Sequence, residues 1–136
     1  MPDASPPLLS PYARSLGIAL CDEGGAGDAI VSVAYGRETV GRPGVFHGGA
    51  MAGLLEAAGY VALRRALRDN AADAELKPIN MTVQYLSAAT AQPGFAMARV
   101  TKLGRRTANI AIEAWQDDRE RLVATAIMNI LIARTG

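Results

Sequence analysis

A single acidic residue interrupts the most apolar stretch of this sequence. Between residues 48 and 63 the only charged side chain is Glu56, and alanine, leucine and methionine, which favour helix, dominate the stretch. Arginines gather at its far end, as is typical of the last turn of a helix: Arg64, Arg65 and Arg68. A helix that is apolar on nearly every side is normally buried. The sequence therefore predicts one long helix that carries a carboxylate into the core, which is costly unless that group is paired, hydrogen-bonded or neutral.

Strand patterns lie on both sides of this helix. Two strands are predicted before it, at residues 16–21 and 29–35, joined by a turn at residues 22–25, and the second strand shows period-2 alternation. After the helix, residues 70–77 read as a polar connection, and Pro78 restarts the chain in extended form. Four strands are predicted beyond it, at residues 79–86, 95–103, 107–115 and 122–133.

These elements predict an α+β fold in which a curled antiparallel sheet wraps around the helix. The last four strands follow one another as hairpins, and short turns favour antiparallel pairing. One helix cannot cover both faces of a flat sheet, so a curled sheet best explains a helix that is apolar all round. Gly53 and Gly59 inside the helix fit a close approach of strands, although tolerated glycines are the simpler alternative. We expect residues 1–15 to form an extended N-terminal arm and residues 16–136 a single domain.

Composition and charge exclude several classes of function. The formal net charge of +1 gives no overall field that would attract nucleic acid. One histidine and one cysteine cannot build a typical zinc site, and Cys21 is better explained as a small core residue than as a nucleophile. The N-terminal segment lacks the features of a signal peptide, and the helix is too short and too interrupted to span a membrane. We therefore expect a cytoplasmic protein that binds neither metal, membrane nor nucleic acid.

The start and the middle of the charge-poor stretch carry candidate chemistry. Gly48 and Gly49 leave the first amides of the helix unshielded, which suits an oxyanion or a polarised carbonyl oxygen. The alternative is a tight loop-to-helix junction that needs glycine for its backbone angles. Glu56 is a candidate nucleophile or general base, and a structural salt bridge is its alternative.

The spacing of these residues has a geometric consequence. Gly48 and Glu56 are eight residues apart, which is about 12 Å along one helix. Their functional groups therefore cannot both lie about 3 Å from one reacting carbon. If both act on one substrate, the glutamate of one chain must meet the glycine amide of another. Two helices running antiparallel about a two-fold axis would achieve this twice, which predicts an obligate dimer with two composite sites.

A family resemblance rests on these residues and on two later segments. His47-Gly48-Gly49, followed by the acid eight positions after the first glycine, resembles the hot-dog-fold acyl-CoA thioesterases of the phenylacetate-pathway type. So do residues 80–88 (NMTVQYLSA) and 101–106 (TKLGRR), and the resemblance covers residues 16–134. It implies a hot-dog fold and hydrolysis of an acyl-CoA thioester to free acid and CoA. It also implies a homodimer, with pairing into a homotetramer left open, and no cofactor besides the CoA thioester substrate.

The resemblance also implies roles for single residues. The Gly48 amide, with Gly49 beside it, would polarise the thioester carbonyl, and Glu56 of the other subunit would act as nucleophile or general base. His47 matches a histidine that is more structural than catalytic in the family. The basic cluster after the fourth strand matches residues near the nucleotide end of coenzyme A, although a solvated turn is the simpler explanation: Lys102, Arg105 and Arg106.

Two positions depart from the family pattern. Gly41 stands where many members have asparagine, and Pro78 stands where some relatives have serine or threonine. Asn80 or Thr82, which are expected to face away from Met81, are candidate replacements that would bind substrate or water. Two other functions stay open: a hydroxyacyl-thioester hydratase or dehydratase that pairs His47 with the acid, and a non-catalytic acyl-CoA-binding protein in which the acid is a relic or a salt bridge.

Overall fold

Six antiparallel strands form one sheet that curls around a central helix. The computed structural model describes residues 8–21, 29–67 and 74–134. In this part of the chain the elements are α1 (Pro11–Ser15), β1 (Ala19–Cys21), β2 (Ile30–Val33), α2 (Gly48–Leu67), β3 (Ala74–Tyr85), β4 (Gly94–Leu103), β5 (Thr107–Trp115) and β6 (Leu122–Arg134). The predicted α+β architecture is confirmed, and the predicted turn at residues 22–25 lies outside the described residues.

One side of the central helix is buried against strands, and ten of its twenty residues are buried. Four of its aliphatic side chains are fully buried, namely Leu54, Leu55, Val61 and Leu63. At Gly59 an added Cβ atom would lie 3.1 Å from the Met128 sulfur and 3.2 Å from Ile112 Cδ1. The predicted close approach of strands is therefore confirmed at Gly59. At Gly53 the neighbour is different: an added Cβ atom would lie 2.8 Å from Leu16 Cδ1, directly after α1. Gly53 thus lets the N-terminal segment, and not a strand, lie against the helix.

The strand order corrects the predicted succession of hairpins. The order across the sheet is β1-β2-β4-β5-β6-β3, so β4, β5 and β6 form the expected hairpins, whereas β3 pairs with β6 and not with β4. Residues 86–93 connect β3 to β4 by crossing the end of the sheet. Buried Gln116 holds this connection through three hydrogen bonds, since its side chain accepts from Thr90 N and donates to Thr90 O and Gln92 O at 2.9–3.0 Å. A polar, turn-rich connection has the same sequence signature in a hairpin and in a crossover, which explains the error.

Two segments before the strands also differ from expectation. Within the region predicted as an extended arm, Pro11–Ser15 form a helix, because Ser10 Oγ caps it by accepting from Ala13 N and proline occupies its start. Buried Ala13 joins this helix to the core, and residues 1–7 lie outside the described part of the chain. After α2 the strand begins at Ala74 and not after Pro78, so the polar connection is shorter than predicted.

The long strand β3 lies at one edge of the sheet. Its residues alternate between the face toward the helix, where Met81 and Val83 pack on the core, and the outer face, where Thr82 stands opposite Ile127. A bulge between Pro78 and Asn80 resets this alternation. No strand of the described residues pairs with its outer edge, which leaves a row of backbone donors and acceptors available for another chain.

Candidate functional site

The start of α2 is built around a histidine that bonds to its own helix. Gly49 N–H donates to His47 Nδ1 at 2.9 Å, so Nδ1 carries no proton and the imidazole proton lies on Nε2. An added Cβ atom at Gly49 would lie 3.0 Å from His47 Nδ1, so a side chain there would press on the imidazole ring. Gly48 N–H has no hydrogen-bond acceptor among the described residues. The first amide of the helix is therefore a free donor beside a partial positive charge.

A groove of about 530 Å³ lies in front of this amide. Its lining includes Gly48, His47, Arg42 and Ser87, and the Tyr85 side chain stands beside Gly48 with its hydroxyl donating to Gly48 O at 2.8 Å. Tyr85 is a site residue that sequence analysis missed, because only the strand pairing of distant residues places it there. The arrangement suits a ligand carbonyl or oxyanion that accepts from a backbone amide.

The geometry of the preceding loop accounts for the glycine at position 41. An added Cβ atom at Gly41 would lie 2.9 Å from His47 Cα and 3.1 Å from His47 N, both of them backbone atoms. The same loop is held by His47 N–H, which donates to Thr39 O at 2.7 Å. An asparagine side chain therefore does not fit at this position without a shift of the loop.

Glu56 lines a second groove of about 440 Å³, farther along the same helix. Apolar side chains form most of its walls, from the N-terminal segment, from α2 and from the first half of β3: Leu8, Leu9, Tyr12, Ala13, Ala57, Leu76 and Pro78. Burial raises the pKa of the Glu56 carboxyl above its ordinary value. In the described part of the chain this carboxylate has neither a hydrogen bond nor a salt bridge. The structural salt bridge considered as an alternative is thus not found there.

Tyr60 lies next to Glu56 in this groove and was also missed. It follows Glu56 by four residues, so the two side chains share one face of α2. Burial, and then the negative charge of Glu56, raises the pKa of Tyr60 to about 12, while Arg64 acts in the opposite direction. Tyr60 therefore remains a phenol at neutral pH and can donate a hydrogen bond. The spacing to Glu56 was a usable signal in the sequence.

The structure separates the two groups that the sequence proposes as partners. Gly48 lines the first groove and Glu56 the second, at different positions along one continuous helix. The eight intervening residues correspond to about 12 Å of helix rise. One chain therefore does not bring the amide donor and the carboxylate together.

The structure places the other predicted binding residues away from both grooves. Asn80 and Thr82 lie on the outer face of β3, where Asn80 Oδ1 accepts from Asn129 Nδ2 at 2.8 Å. Arg105 and Arg106 border a third concavity of about 540 Å³ with residues 131–134. Lys102 is exposed nearby on β4. Pro78, by contrast, borders the Glu56 groove itself.

Neither helix of residues 8–21, 29–67 and 74–134 is long and apolar enough to cross a membrane. In the same ranges no group of three or more histidine, cysteine or carboxylate side chains is placed to hold a metal ion.

Comparisons with known proteins agree with the fold. Residues 36–129 match the family of acyl-CoA thioesterase N-terminal domains, whereas no curated protein sequence matches the chain. The structure is similar to that of a conserved protein from Pseudomonas aeruginosa, with 25% identity, a TM-score of 0.76, and coverage of 93% of this chain and 96% of that one. A phenylacetic acid degradation-related protein from Ralstonia eutropha JMP134 has 24% identity, a TM-score of 0.72 and 90% coverage of each chain.

A third similar structure contains coenzyme A. This protein from Bacillus halodurans was solved with CoA and has 19% identity to the chain and a TM-score of 0.80, with coverage of 93% of this chain and 81% of that one. At this level of identity, the similarity of the two structures supports the fold alone. Because the family match covers more than half of the sequence and the curled sheet around one helix agrees with it, the chain belongs to the acyl-CoA thioesterase family and has the hot-dog fold.

Proposed function

We propose that this protein hydrolyses acyl-CoA thioesters at a site shared between two copies of the chain. The observation that carries the proposal is the position of the two grooves relative to β3. The last residue of that strand, Tyr85, borders the Gly48 groove, and Leu76 and Pro78 in its first half border the Glu56 groove. The amide donor and the carboxylate thus lie beside opposite ends of one unpaired edge.

Antiparallel pairing of two such edges would complete the site twice. If the two-fold axis passes near Met81, residues 76–78 of one copy lie opposite residues 84–86 of the other. The Glu56 groove of each copy then faces the Gly48 groove of the second copy. Strand pairing satisfies the free backbone groups of both edges, and it buries Ile79, which is 51% exposed in one chain.

The chemistry of such a site follows from its two groups. The thioester carbonyl oxygen would accept from Gly48 N–H, which stabilises the negative charge that develops as the carbonyl carbon is attacked. The Glu56 carboxylate would either attack that carbon, giving a mixed anhydride that water then hydrolyses, or remove a proton from the attacking water. In both routes the carbon–sulfur bond breaks, the thiolate of CoA takes up a proton, and the free acid is released.

The cations suit the nucleotide end of the substrate. Ile132 N–H donates to Arg106 O, and Ile132 is also paired with Leu76, which borders the Glu56 groove. Arg105 and Arg106 therefore lie at the same end of the sheet as Glu56. We infer that they bind the phosphates of CoA, with Lys102 nearby, while the apolar walls of the Glu56 groove hold the acyl group.

The histidine geometry disfavours the hydratase alternative. Nδ1 of His47 accepts from Gly49 N–H, so its lone pair is used and the remaining ring nitrogen carries the proton. A histidine acting as base needs a nitrogen lone pair that faces the substrate. Hydration of crotonyl-CoA should accordingly be undetectable under conditions in which thiol release from CoA esters is measured.

Mixing two inactive variants tests the shared site. Glu56→Gln removes the carboxylate, and Gly48→Pro removes the first amide proton of the helix and adds a ring at a position where proline is favoured. Unfolding and refolding the two variants together gives heterodimers with one intact site each. Thiol release from short, long and aryl CoA esters should recover to about a quarter of wild-type activity, because about half of the dimers are mixed and half of their sites are intact.

One outcome of this experiment would refute the shared site. If Gly48 and Glu56 act within one chain, every chain in the mixture is defective and the activity stays at the level of the separate variants. A wild-type protein that binds CoA esters tightly without releasing thiol would instead support the non-catalytic alternative.

A further inference from the structure

The peptide between Gly48 and Gly49 is held from both of its sides. Its carbonyl oxygen accepts from the Tyr85 hydroxyl at 2.8 Å, and its N–H donates to His47 Nδ1 at 2.9 Å. The two bonds come from different directions: His47 precedes the peptide directly, whereas Tyr85 lies 37 residues away on β3. A peptide plane anchored at both its donor and its acceptor cannot rotate without losing a hydrogen bond.

This anchoring matters because the adjacent amide is the free one. The N–H of Gly48 belongs to the preceding peptide and shares the Gly48 Cα atom with the anchored one. Glycine at positions 48 and 49 leaves the backbone more freedom to turn than any other residue would. An amide donor that stabilises an oxyanion must already point at the position where the charge develops, since reorganisation during the reaction reduces its effect. The peptide that carries this N–H is held through its own carbonyl, since His47 O accepts from Met51 N–H at 3.1 Å, and the bond from Tyr85 adds a constraint on the next peptide.

We propose that Tyr85 is a positioning residue that fixes the direction of the Gly48 amide through its bond to the Gly48 carbonyl. The proposal rests on the proposed hydrolysis and names the side chain that preorganises its donor. Because Tyr85 is the last residue of β3, it ties the amide to the strand whose free edge would join two copies. The orientation of the donor then depends on the placement of this edge strand.

The surroundings of Tyr85 allow its positioning role to be distinguished from packing in the core. Its side chain is 56% exposed, and its ring lies beside Gly48, where an added Cβ atom would be 3.5–3.7 Å from the hydroxyl oxygen and nearby ring atoms. Removing only the hydroxyl leaves this ring contact in place. Tyr35 provides a matched comparison, because its hydroxyl also bonds to backbone, accepting from Gly44 N–H at 2.9 Å, but in the loop before the helix.

The test compares Tyr85→Phe with Tyr35→Phe in the full-length protein. We expect kcat for a CoA ester to fall about tenfold in Tyr85→Phe with KM unchanged, since the donor acts mainly in the transition state. The pH dependence of kcat should keep the wild-type shape, because Glu56 is untouched. Tyr35→Phe should remain within about twofold of wild type. Incorporating 4-aminophenylalanine at position 85, which restores a donor, should restore kcat.

A structural readout separates failure of this proposal from failure of the proposed function. In ¹⁵N NMR spectra of Tyr85→Phe the Gly48 and Gly49 amides should shift and exchange faster with solvent than in Tyr35→Phe. A Tyr85→Phe protein with wild-type kcat, with a changed KM alone, or with unmoved Gly48 and Gly49 resonances would overturn the positioning role. If Tyr85→Phe does not fold, the 4-aminophenylalanine variant must still show wild-type glycine resonances, and their loss would equally overturn it. Absence of thiol release from the wild type would refute the hydrolase proposal, and the NMR comparison would still decide the role of Tyr85.

Discussion

The polar groups in the two grooves on the central helix have opposite surroundings. At the start of the helix, His47, Gly49 and Tyr85 are joined by hydrogen bonds, and the Gly48 amide, which lines the groove, has no acceptor in the described chain. In the second groove neither Glu56 nor Tyr60 has a hydrogen bond to the residues that the structure describes, and both face mostly apolar walls. The first groove therefore offers a rigid donor, and the second offers a carboxylate that is poorly solvated and costly to ionise.

This difference fits a division of labour within one reaction. A donor that stabilises developing charge works best when it is fixed before the substrate arrives. A nucleophile or base works best when few groups compete for its lone pairs. Substitutions that change one groove at a time therefore test this division.

Removing the carboxylate should have the largest effect. Glu56→Gln is expected to lower kcat by about 10³-fold or more, because glutamine can neither attack the carbonyl nor accept a proton from water. Thiol release measures the activity, and light scattering checks that the proposed dimer forms as in the wild type. Glu113→Gln is the matched control, since Glu113 lies on a strand and pairs with Arg119 at 2.9 Å, outside both grooves. Full activity in Glu56→Gln would refute the assignment of the acid.

Removing the amide proton should have the next largest effect. Gly48→Pro is expected to lower kcat by about 10²-fold, which is typical for the loss of one donor to an oxyanion. Gly48→Ala keeps the N–H, and its Cβ atom would make an ordinary contact of 3.5 Å with the Tyr85 hydroxyl oxygen. Its kcat should therefore fall much less than that of Gly48→Pro. Equal losses in both variants would show that crowding, and not the missing donor, is responsible.

The pH dependence tests the poorly solvated carboxyl. Because burial raises the pKa of Glu56 and the proposed mechanism uses the ionised form, kcat should rise with pH through this raised pKa. Below the pKa, kcat should fall about tenfold for each pH unit, since the ionised fraction falls in that proportion. Thiol release measured from acidic to neutral pH checks this. An acid limb at the ordinary pKa of an exposed glutamate would show that burial does not affect the group.

Placing asparagine at position 41 should lower the stability of the fold. Gly41→Asn is expected to lower the free energy of unfolding by about 1–3 kcal/mol, because its Cβ atom would overlap the His47 backbone at 2.9 Å. Urea denaturation measures the change. At Gly36 an added Cβ atom meets nothing within 4 Å, so Gly36→Asn is the control and should change the stability little. Unchanged stability in Gly41→Asn would mean that the loop adapts freely.

The smallest effect concerns the cost of ionising Glu56 in the folded protein. A carboxyl whose pKa is raised on folding stabilises the protein at acidic pH, and this contribution is lost as the pH rises through the folded-state pKa. Glu56→Gln should therefore melt slightly above the wild type near about pH 8, and the difference should vanish near about pH 4, where the wild-type carboxyl is protonated. Thermal unfolding followed by circular dichroism measures both. A higher melting temperature for the wild type at neutral pH would contradict this sign.

The sequence predicted features that depend on neighbouring residues. The long helix, the strands from β4 to β6 and the close packing at Gly59 all follow from local periodicity and from the size of one residue. The separation of Gly48 from Glu56 also follows from sequence, because the helix fixes about 1.5 Å of rise per residue. Alternation likewise placed Asn80 and Thr82 on the face opposite Met81, which turned out to be the outer face, away from both grooves.

Only the tertiary structure decided how distant segments meet. Nothing local to residues 86–93 distinguishes a hairpin from a crossover, so the pairing of β3 with β6 depended on which strand edges the whole chain could bring together. That pairing puts the Tyr85 hydroxyl on the Gly48 carbonyl, and loop packing against His47 leaves no room for a side chain at Gly41. Such contacts join residues that are far apart in the chain or lie on a folded loop, and their free energy depends on the packed arrangement and not on local sequence preference.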